Sequence, residues 1–198
     1  MRFNSDQIQK IGKEISSKVD GKTLFDEFSR GRYSTDASVY QIKPLGVVLP
    51  KDTNDVLSLM EYSQKNSVPL LARGGGSSQC GQTVGESVVL DYSKHQNKIL
   101  ELNVEEKYVW VQPGVVLDHL NAYLKPHGLW FPVDVSTSSR ATIGGMSANN
   151  SCGSRSLYYG NMVHNVLAIE AILDDGSIFN FDQINKNYLA TKNNQDRL

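Results

Sequence analysis

A glycine-rich loop directly follows a strand–helix–strand pattern, and this combination restricts the fold more than any other feature. Residues 46–50 form a short apolar run closed by a proline, as a buried strand would be. Asp52 or Thr53 can cap a helix, whose apolar residues follow at helical spacing until Asn66. Residues 68–72 are a second apolar run. Strand, helix and strand in so short a stretch predict a βαβ unit with parallel strands.

The rest of the chain predicts helices at the start and antiparallel pairs later. Isoleucines and a valine at helical spacing predict an N-terminal helix that stops at Gly21, with Leu24, Phe25 and Phe28 continuing a helical face up to Gly31. A strand is predicted at 88–90, and a helix from Leu117 to Leu124 that Gly128 stops. Two hairpins are also predicted, pairing 99–102 with 108–111 and 166–173 with 177–181.

These elements predict an α+β fold with two lobes. The predicted division is an N-terminal helical segment at 1–30, a parallel βαβ lobe at 31–94, an incomplete antiparallel-sheet lobe at 95–184 with flanking helices, and a polar tail at 185–198.

Composition excludes several functional classes. The formal net charge is −1, so no basic face for nucleic acid is indicated. The apolar runs are too short to span a bilayer, and the first residues lack the apolar stretch of a secretory signal. Cys80 and Cys152 have neither paired spacing nor neighbouring histidines, which argues against a metal site and a disulfide framework. A cytoplasmic protein is predicted, with membrane association through a partner left open.

The loop at residues 73–82 suits a pyrophosphate. Glycines let consecutive backbone N–H groups turn toward one point and let a bulky anion approach closely. The loop also lies where ligands bind open α/β sheets, after the carboxyl end of a parallel strand. It lacks the Gly-Lys-Ser/Thr of a Walker A loop, and Gln79 stands where the Rossmann pattern needs glycine, which disfavours kinases and nicotinamide dehydrogenases.

A second cluster, at residues 131–156, separates a binding site from a flexible surface loop. It is poor in charge and dense in small residues, with many hydroxyls and two asparagines. Such residues suit a segment that lies against a large ligand, because they allow close approach and offer hydrogen bonds.

Together these residues resemble the FAD-binding domain of the vanillyl-alcohol oxidase and p-cresol methylhydroxylase (PCMH-type) superfamily, with the greatest likeness to the D-lactate dehydrogenase and glycolate oxidase subunit group. The matching pieces occur in family order across roughly residues 30–180: 33–40, 44–50, 73–82, 111–115, 132–134, 141–146, and 148–150 with Gly153.

The resemblance implies roles for individual residues. Backbone groups of Gly74, Gly75, Gly76, Ser77 and Ser78 would hold the pyrophosphate. Thr142, Gly144 and Gly145 would close on the phosphates and ribitol from the other side. The adenosine end would be lined by Pro113, Gly114, Val115 and Val166, and the isoalloxazine ring approached by Pro132, Val133, Asp134, Ser138 and Asn149. The remaining predicted cofactor-binding residues are Arg73, Gly81, Gln82, Ile143, Ala148, Gly153, Tyr159 and Gly160.

The same resemblance implies chemistry. Some family members attach the flavin covalently through a histidine four residues after the arginine; Ser77 occupies that position here, which implies non-covalent FAD. The implied reaction oxidises a D-2-hydroxy acid to the 2-oxo acid by hydride transfer to flavin N5. The catalytic residues and the substrate domain are expected outside this chain. The isolated chain is expected to fold, to be inactive, and to hold FAD weakly or be purified without it.

Other readings stay open at this point. One is the flavin subunit of a larger complex whose electron acceptor is an iron–sulfur domain or subunit. Another is a non-catalytic nucleotide-binding module, and a cell-wall-precursor reductase of the same superfamily is a more distant option.

Several side chains have two interpretations. Arg73 could neutralise a phosphate or pair with a carboxylate that braces the loop, with even weight. Trp110 is assigned to the core and Trp130 to stacking or packing. At least one of Tyr158 and Tyr159 is expected to pack. Cys152 is interpreted as a small packing residue, the four histidines as surface or packing residues, and 174–176 as a hairpin turn.

Overall fold

The computed structural model describes residues 3–182. The predicted tail at 185–198 therefore lies outside the described residues. The helices are α1 (Ser5–Ser16), α2 (Glu27–Arg32), α3 (Thr53–Asn66), α4 (Leu117–Leu124), α5 (Ile143–Ala148), α6 (Ser156–Tyr159) and α7 (Met162–Asn165), with a short 3₁₀ helix at Lys125–His127. The strands are β1 (Lys22–Leu24), β2 (Gly46–Leu49), β3 (Leu70–Arg73), β4 (Val88–Asp91), β5 (Ile99–Asn103), β6 (Tyr108–Val111), β7 (Ile169–Ile172) and β8 (Ile178–Phe181).

The parallel strands belong to a four-stranded sheet in the order β1-β2-β4-β3. Strands β2, β3 and β4 run parallel, which confirms the predicted βαβ unit, and β4 lies between the two strands that α3 connects. Every residue of β2 and β4 is buried, so these runs are apolar without alternation. Of the two predicted caps, Asp52 is the one that caps α3, through the backbone N–H groups of Asn54 and Asp55.

The N-terminal segment differs from the predicted continuous helical face. Leu24 lies in β1, which pairs antiparallel with β2 and so covers that edge of the sheet. Phe25 is buried, and a Cβ at Gly46 would stand 2.3 Å from its ring. Gly31 lies inside α2 and does not break it. Pairing with a neighbouring strand, a tertiary contact, therefore overrides the local helical spacing.

Asp55 ties this segment to the sheet. Its buried carboxylate accepts hydrogen bonds from the backbone N–H groups of Asp20 (2.8 Å), Gly21 (2.9 Å) and Lys51 (2.7 Å). Three donors compensate for the loss of water around a buried charge. The loop between α1 and β1 is thereby fastened to the start of α3.

The later half contains two separate antiparallel pairs in the described residues, β5 with β6 and β7 with β8, where one antiparallel sheet was predicted. Helix α4 has the predicted bounds, and Gly128 follows the 3₁₀ helix in the left-handed conformation (φ 69°). Residues of α4 pack against β5 and β6 in one apolar cluster. The turn at 174–176 is confirmed, with Gly176 at φ 82°.

Candidate cofactor-binding site

The two clusters of small residues meet, as the prediction requires. A Cβ added to Gly74 would lie 2.1 Å from Thr142 Oγ1, and one added to Gly75 would lie 2.1 Å from the Arg140 carbonyl oxygen. Real Cβ atoms do not approach that closely, so only glycine permits this packing. The loop after β3 and the segment before α5 are thus in direct contact although about seventy residues separate them in sequence.

A third segment supports this contact. Thr142 caps α5 by accepting a hydrogen bond from the Gly145 N–H, and it forms an isolated antiparallel bridge with Val116. The Gly144 N–H donates to the Pro113 carbonyl at 2.9 Å, and a Cβ at Gly144 would stand 2.5 Å from Pro113 Cβ. The loop after β6 therefore sits behind the start of α5.

The loop after β3 presents unused donors. The N–H groups of Gly75, Gly76 and Ser77 make no hydrogen bond within residues 3–182. Such groups find partners in water or in a bound anion. In α5, whose N-cap Thr142 contacts Gly74, Gly145 and Ala148 are exposed and present little or no side chain. Free N–H groups in one segment and small exposed residues in the segment that contacts it fit a diphosphate-bearing ligand.

A polar contact also links the loop to the end of α5. Ser78 Oγ donates to Gln82 Oε1, and Gln82 Nε2 donates to Asn149 Oδ1 at 3.0 Å. Gly81 adopts φ 75° and packs on the Tyr40 ring. The predicted residues Ser78, Gln82 and Asn149 are thus brought together.

Asp134 and Gly153 form a second point of close approach. A Cβ at Gly153 would lie 1.3 Å from the Asp134 carbonyl oxygen. The Asp134 carboxylate accepts hydrogen bonds from Ser154 Oγ (2.7 Å) and the Arg155 N–H (3.0 Å). The Ser154 bond, followed by the Arg155 bond, lowers the pKa of Asp134 below its usual value. Asp134 therefore joins the segment at 132–135 to the one at 153–155.

Some predicted residues contribute backbone only, because their side chains belong to the core. Val115 is buried beside α4, and Val133 packs with Leu117 and Met146. A Cβ at Gly114 would collide with the Tyr92 carbonyl oxygen at 2.2 Å. The remaining predicted residues lie at intermediate exposure around these contacts: Pro132, Ser138, Ile143, Gly160 and Val166.

Arg73 was left with two roles, neutralising a phosphate or pairing with a carboxylate that braces the loop, and the structure shows it bound to two main-chain carbonyl groups. Its Nη1 donates to the Thr83 carbonyl (3.0 Å) and its Nη2 to the Thr35 carbonyl (2.9 Å). It forms no ion pair with a carboxylate in the described part of the chain. The contact could not be read from sequence, because main-chain acceptors leave no mark on residue type.

The structure contradicts the predicted burial of one tryptophan and one cysteine. Trp110 is 37% exposed and not in the core, because the alternation of β6 turns Val109 and Val111 toward α4. Cys152 is exposed and not packed.

The other aromatic predictions fare better. Tyr159 packs edge-on against Trp130, with ring centroids 5.1 Å apart, and Tyr158 is exposed.

All four histidines are on the surface, as predicted. None of the helices within residues 3–182 has the length and apolar character that crossing a bilayer requires.

Comparison with known proteins decides the family. A family model described as "FAD binding domain" matches residues 44–182, more than half of the chain. The chain belongs to this FAD-binding family. Its cofactor is FAD, as predicted. The matched range contains both clusters and the loop after β6, so the three segments in contact are parts of one FAD domain.

Several curated proteins are similar to this chain in sequence. The chain is 42% identical over 155 residues to D-2-hydroxyglutarate dehydrogenase of Haemophilus influenzae, covering 77% of this chain and 15% of that protein. It is 37% identical over 176 residues to glycolate oxidase subunit GlcD of Bacillus subtilis, covering 86% and 37%. It is 40% identical over 140 residues to the mitochondrial D-lactate dehydrogenase [cytochrome] of Kluyveromyces lactis, covering 69% and 24%. The chain thus spans well under half the length of these relatives.

Solved structures confirm the predicted PCMH-type α+β fold. Physcomitrella patens BBE-like 1 superposes with a TM-score of 0.75 at 19% identity, covering 90% of this chain and 39% of that one. Alkyldihydroxyacetonephosphate synthase superposes with a TM-score of 0.75 at 20% identity, covering 94% and 36%.

Proposed function

We propose that this chain is the FAD-binding part of an oxidoreductase that converts a D-2-hydroxy acid to the 2-oxo acid, with FAD held non-covalently. The observation that carries the proposal is the contact of Gly74 with Thr142, which unites the two clusters of small residues beside the free N–H groups of the loop. An extended dinucleotide needs such a cleft, because its two phosphates and its ring must be held by different segments.

The residues of this chain bind and orient the cofactor. The N–H groups of Gly75, Gly76 and Ser77 are free to donate to phosphate oxygens. Gly145 and Ala148 leave room for ribitol, and Asn149 offers an amide near the same edge. Bound FAD supplies the hydride acceptor and passes electrons onward. Serine at position 77 has no ring nitrogen that could form a histidyl–flavin bond, which supports non-covalent binding.

The names of three relatives support the substrate class. They refer to D-2-hydroxyglutarate, glycolate and D-lactate, which are all 2-hydroxy acids. Because the chain covers only part of each relative, we place the catalytic residues and the substrate domain outside this chain. One relative is named as a subunit, which supports a partner chain for this one. We propose that this partner, or a further domain, carries the iron–sulfur clusters that accept the electrons. We also retain the predicted cytoplasmic location as part of the proposal.

Titration of the purified chain with FAD, FMN, ADP and ATP tests the binding assignment. We expect quenching of flavin fluorescence and binding of FAD in preference to FMN and ADP, because FAD alone reaches both clusters. Preference for ADP or ATP would contradict the proposal and support the nucleotide-binding module. Acid precipitation of the FAD-loaded chain should leave all flavin in the supernatant; yellow colour in the pellet would contradict non-covalent binding.

A further inference from the structure

The side chain of Arg73 packs against the glycine loop at Gly76. Gly76 adopts a left-handed conformation (φ 64°), and a Cβ there would stand 2.4 Å from Arg73 Nη2. The guanidinium therefore fills the space that the turn at Gly76 leaves behind the loop. Its two terminal nitrogens donate to Thr35 and Thr83, one on each side of the loop in sequence.

Thr35 belongs to a segment that also contacts the loop directly. The Ala37 N–H donates to the Gly76 carbonyl at 3.1 Å. Asp36 accepts a hydrogen bond from Thr83 Oγ1 at 3.0 Å. Arg73 thus links the end of the loop at Thr83 to the segment at 35–37, so displacement of its guanidinium would release both contacts.

A tyrosine and a buried aspartate fix the position of this arginine. The guanidinium lies over the Tyr33 ring, 5.3 Å from its centroid. Tyr33 Oη donates to Asp91 Oδ2 at 2.6 Å, and the other carboxylate oxygen of Asp91 accepts from Ser93. Asp91 stands opposite Arg73 in the register of β3 and β4, so all three groups rest on the end of the parallel sheet.

The protonation of this tyrosine is secure. Burial, followed by the hydrogen bond to Asp91, raises the pKa of Tyr33 to about 12. Its hydroxyl therefore remains a donor throughout the neutral range, and its ring stays a neutral platform for the arginine.

We propose that Arg73, seated on Tyr33 and anchored through Asp91, is a positioning residue that holds the loop at 74–78 with its N–H groups free for the FAD pyrophosphate. This inference rests on the proposed function, since it assigns a role within the same site. Lysine cannot replace Arg73 in this role, because one ammonium group cannot reproduce a planar fork between two carbonyls.

The test compares Arg73→Lys with Arg32→Lys in the full 198-residue chain. Arg32 is a matched control, because it also lies over the Tyr33 ring (6.0 Å to the centroid) but has no hydrogen bond to the loop. FAD affinity is measured by fluorescence titration. Hydrogen exchange of the Ala37 amide, followed by NMR without FAD, reports on the position of the Gly76 carbonyl.

We expect Arg73→Lys to weaken FAD binding about tenfold and to accelerate exchange at Ala37 about tenfold, as loss of a charged hydrogen bond implies. Arg32→Lys should change neither. If Arg73→Lys binds FAD like the unmodified chain, the inference is wrong. If binding weakens while Ala37 exchange stays unchanged, Arg73 acts on the ligand directly, which also overturns a positioning role.

A second pair of variants keeps the test decisive if Arg73→Lys does not fold. Tyr33→Leu removes the ring and should weaken FAD binding about threefold to fivefold. Tyr33→Phe keeps the ring and should fall between Tyr33→Leu and the unmodified chain. Equal binding by all three would overturn the inference. Failure of the unmodified chain to bind FAD would instead refute the proposed function.

Discussion

Replacement of Gly74 by alanine should destabilise the domain by forcing apart the two clusters. The new Cβ would lie 2.1 Å from Thr142 Oγ1 and 3.2 Å from Thr142 Cβ. Thr142 is only 2% exposed, so its side chain cannot turn into solvent. Gly74 does not have a positive φ, so the strain comes from this contact and not from the backbone conformation.

The magnitude follows from two effects. Overpacking of a dense site costs about 1–3 kcal/mol, and displacement of Thr142 Oγ1 from its capping bond to Gly145 costs about 1 kcal/mol. We therefore expect the free energy of unfolding to fall by about 3 kcal/mol, which lowers Tm by about 6–12 °C in a chain of this size. Thermal unfolding without FAD, followed by circular dichroism, measures the change.

Two further variants separate collision from a general effect of alanine. Gly31→Ala has no atom within 4 Å of the new Cβ and lies in α2, so it should raise stability by about 0.5–1 kcal/mol. Combining Gly74→Ala with Thr142→Ala should cost clearly less than the sum of the two single changes, because the second change removes the colliding oxygen. An unchanged Tm for Gly74→Ala, or additive costs in the double variant, would refute the reasoning.

Three other changes test separate parts of the structure. Gly153→Ala should destabilise more than Gly74→Ala, because the new Cβ meets a backbone atom, the Asp134 carbonyl oxygen at 1.3 Å; a smaller loss in thermal unfolding would count against this packing. Asp55→Ala removes the acceptor of three backbone N–H groups and should cost about 3 kcal/mol by urea denaturation, whereas a loss below about 1 kcal/mol would contradict its role. Asp134 has a lowered pKa in the folded chain, so its contribution is present above the unfolded pKa and is lost as the pH falls through the folded value; Asp134→Asn should flatten the acid side of the stability–pH curve, and an identical slope would contradict this.

Local sequence signals correctly predicted the elements whose conformation does not depend on pairing with, or coverage by, another element. The caps of α3, the bounds of α4 and the turn at Gly176 were all predicted correctly, because a capping side chain, a helical apolar face and a glycine act within a few residues. The sequence failed at β1 and Trp110. In both places the outcome depends on which other element pairs with, or covers, the strand.

The candidate site also has features that the sequence predicted and features that it did not. Its ligand class could be predicted, because glycines and hydroxyls matched a known family in order along the chain, and the family match confirms FAD. The residues that hold the loop of the site in place could not be predicted. Tyr33 and Asp91 carry no local pattern that connects them to the loop, and Arg73 binds main-chain carbonyls that every residue possesses.

The sequence by itself determined the parallel βαβ unit, because a strand, a capped helix and a strand depend on residue types at short spacing. It also determined the order of the glycine clusters, and the resemblance of these clusters to a known family implied the cofactor class. Only the tertiary structure decided that β4 enters between β2 and β3, that Gly74 meets Thr142 and Gly153 meets Asp134, and that Arg73 lies behind the loop. The physical reason is that these contacts join backbone atoms and glycines far apart in the chain. Their energy depends on distances in space, which no local pattern of side chains specifies.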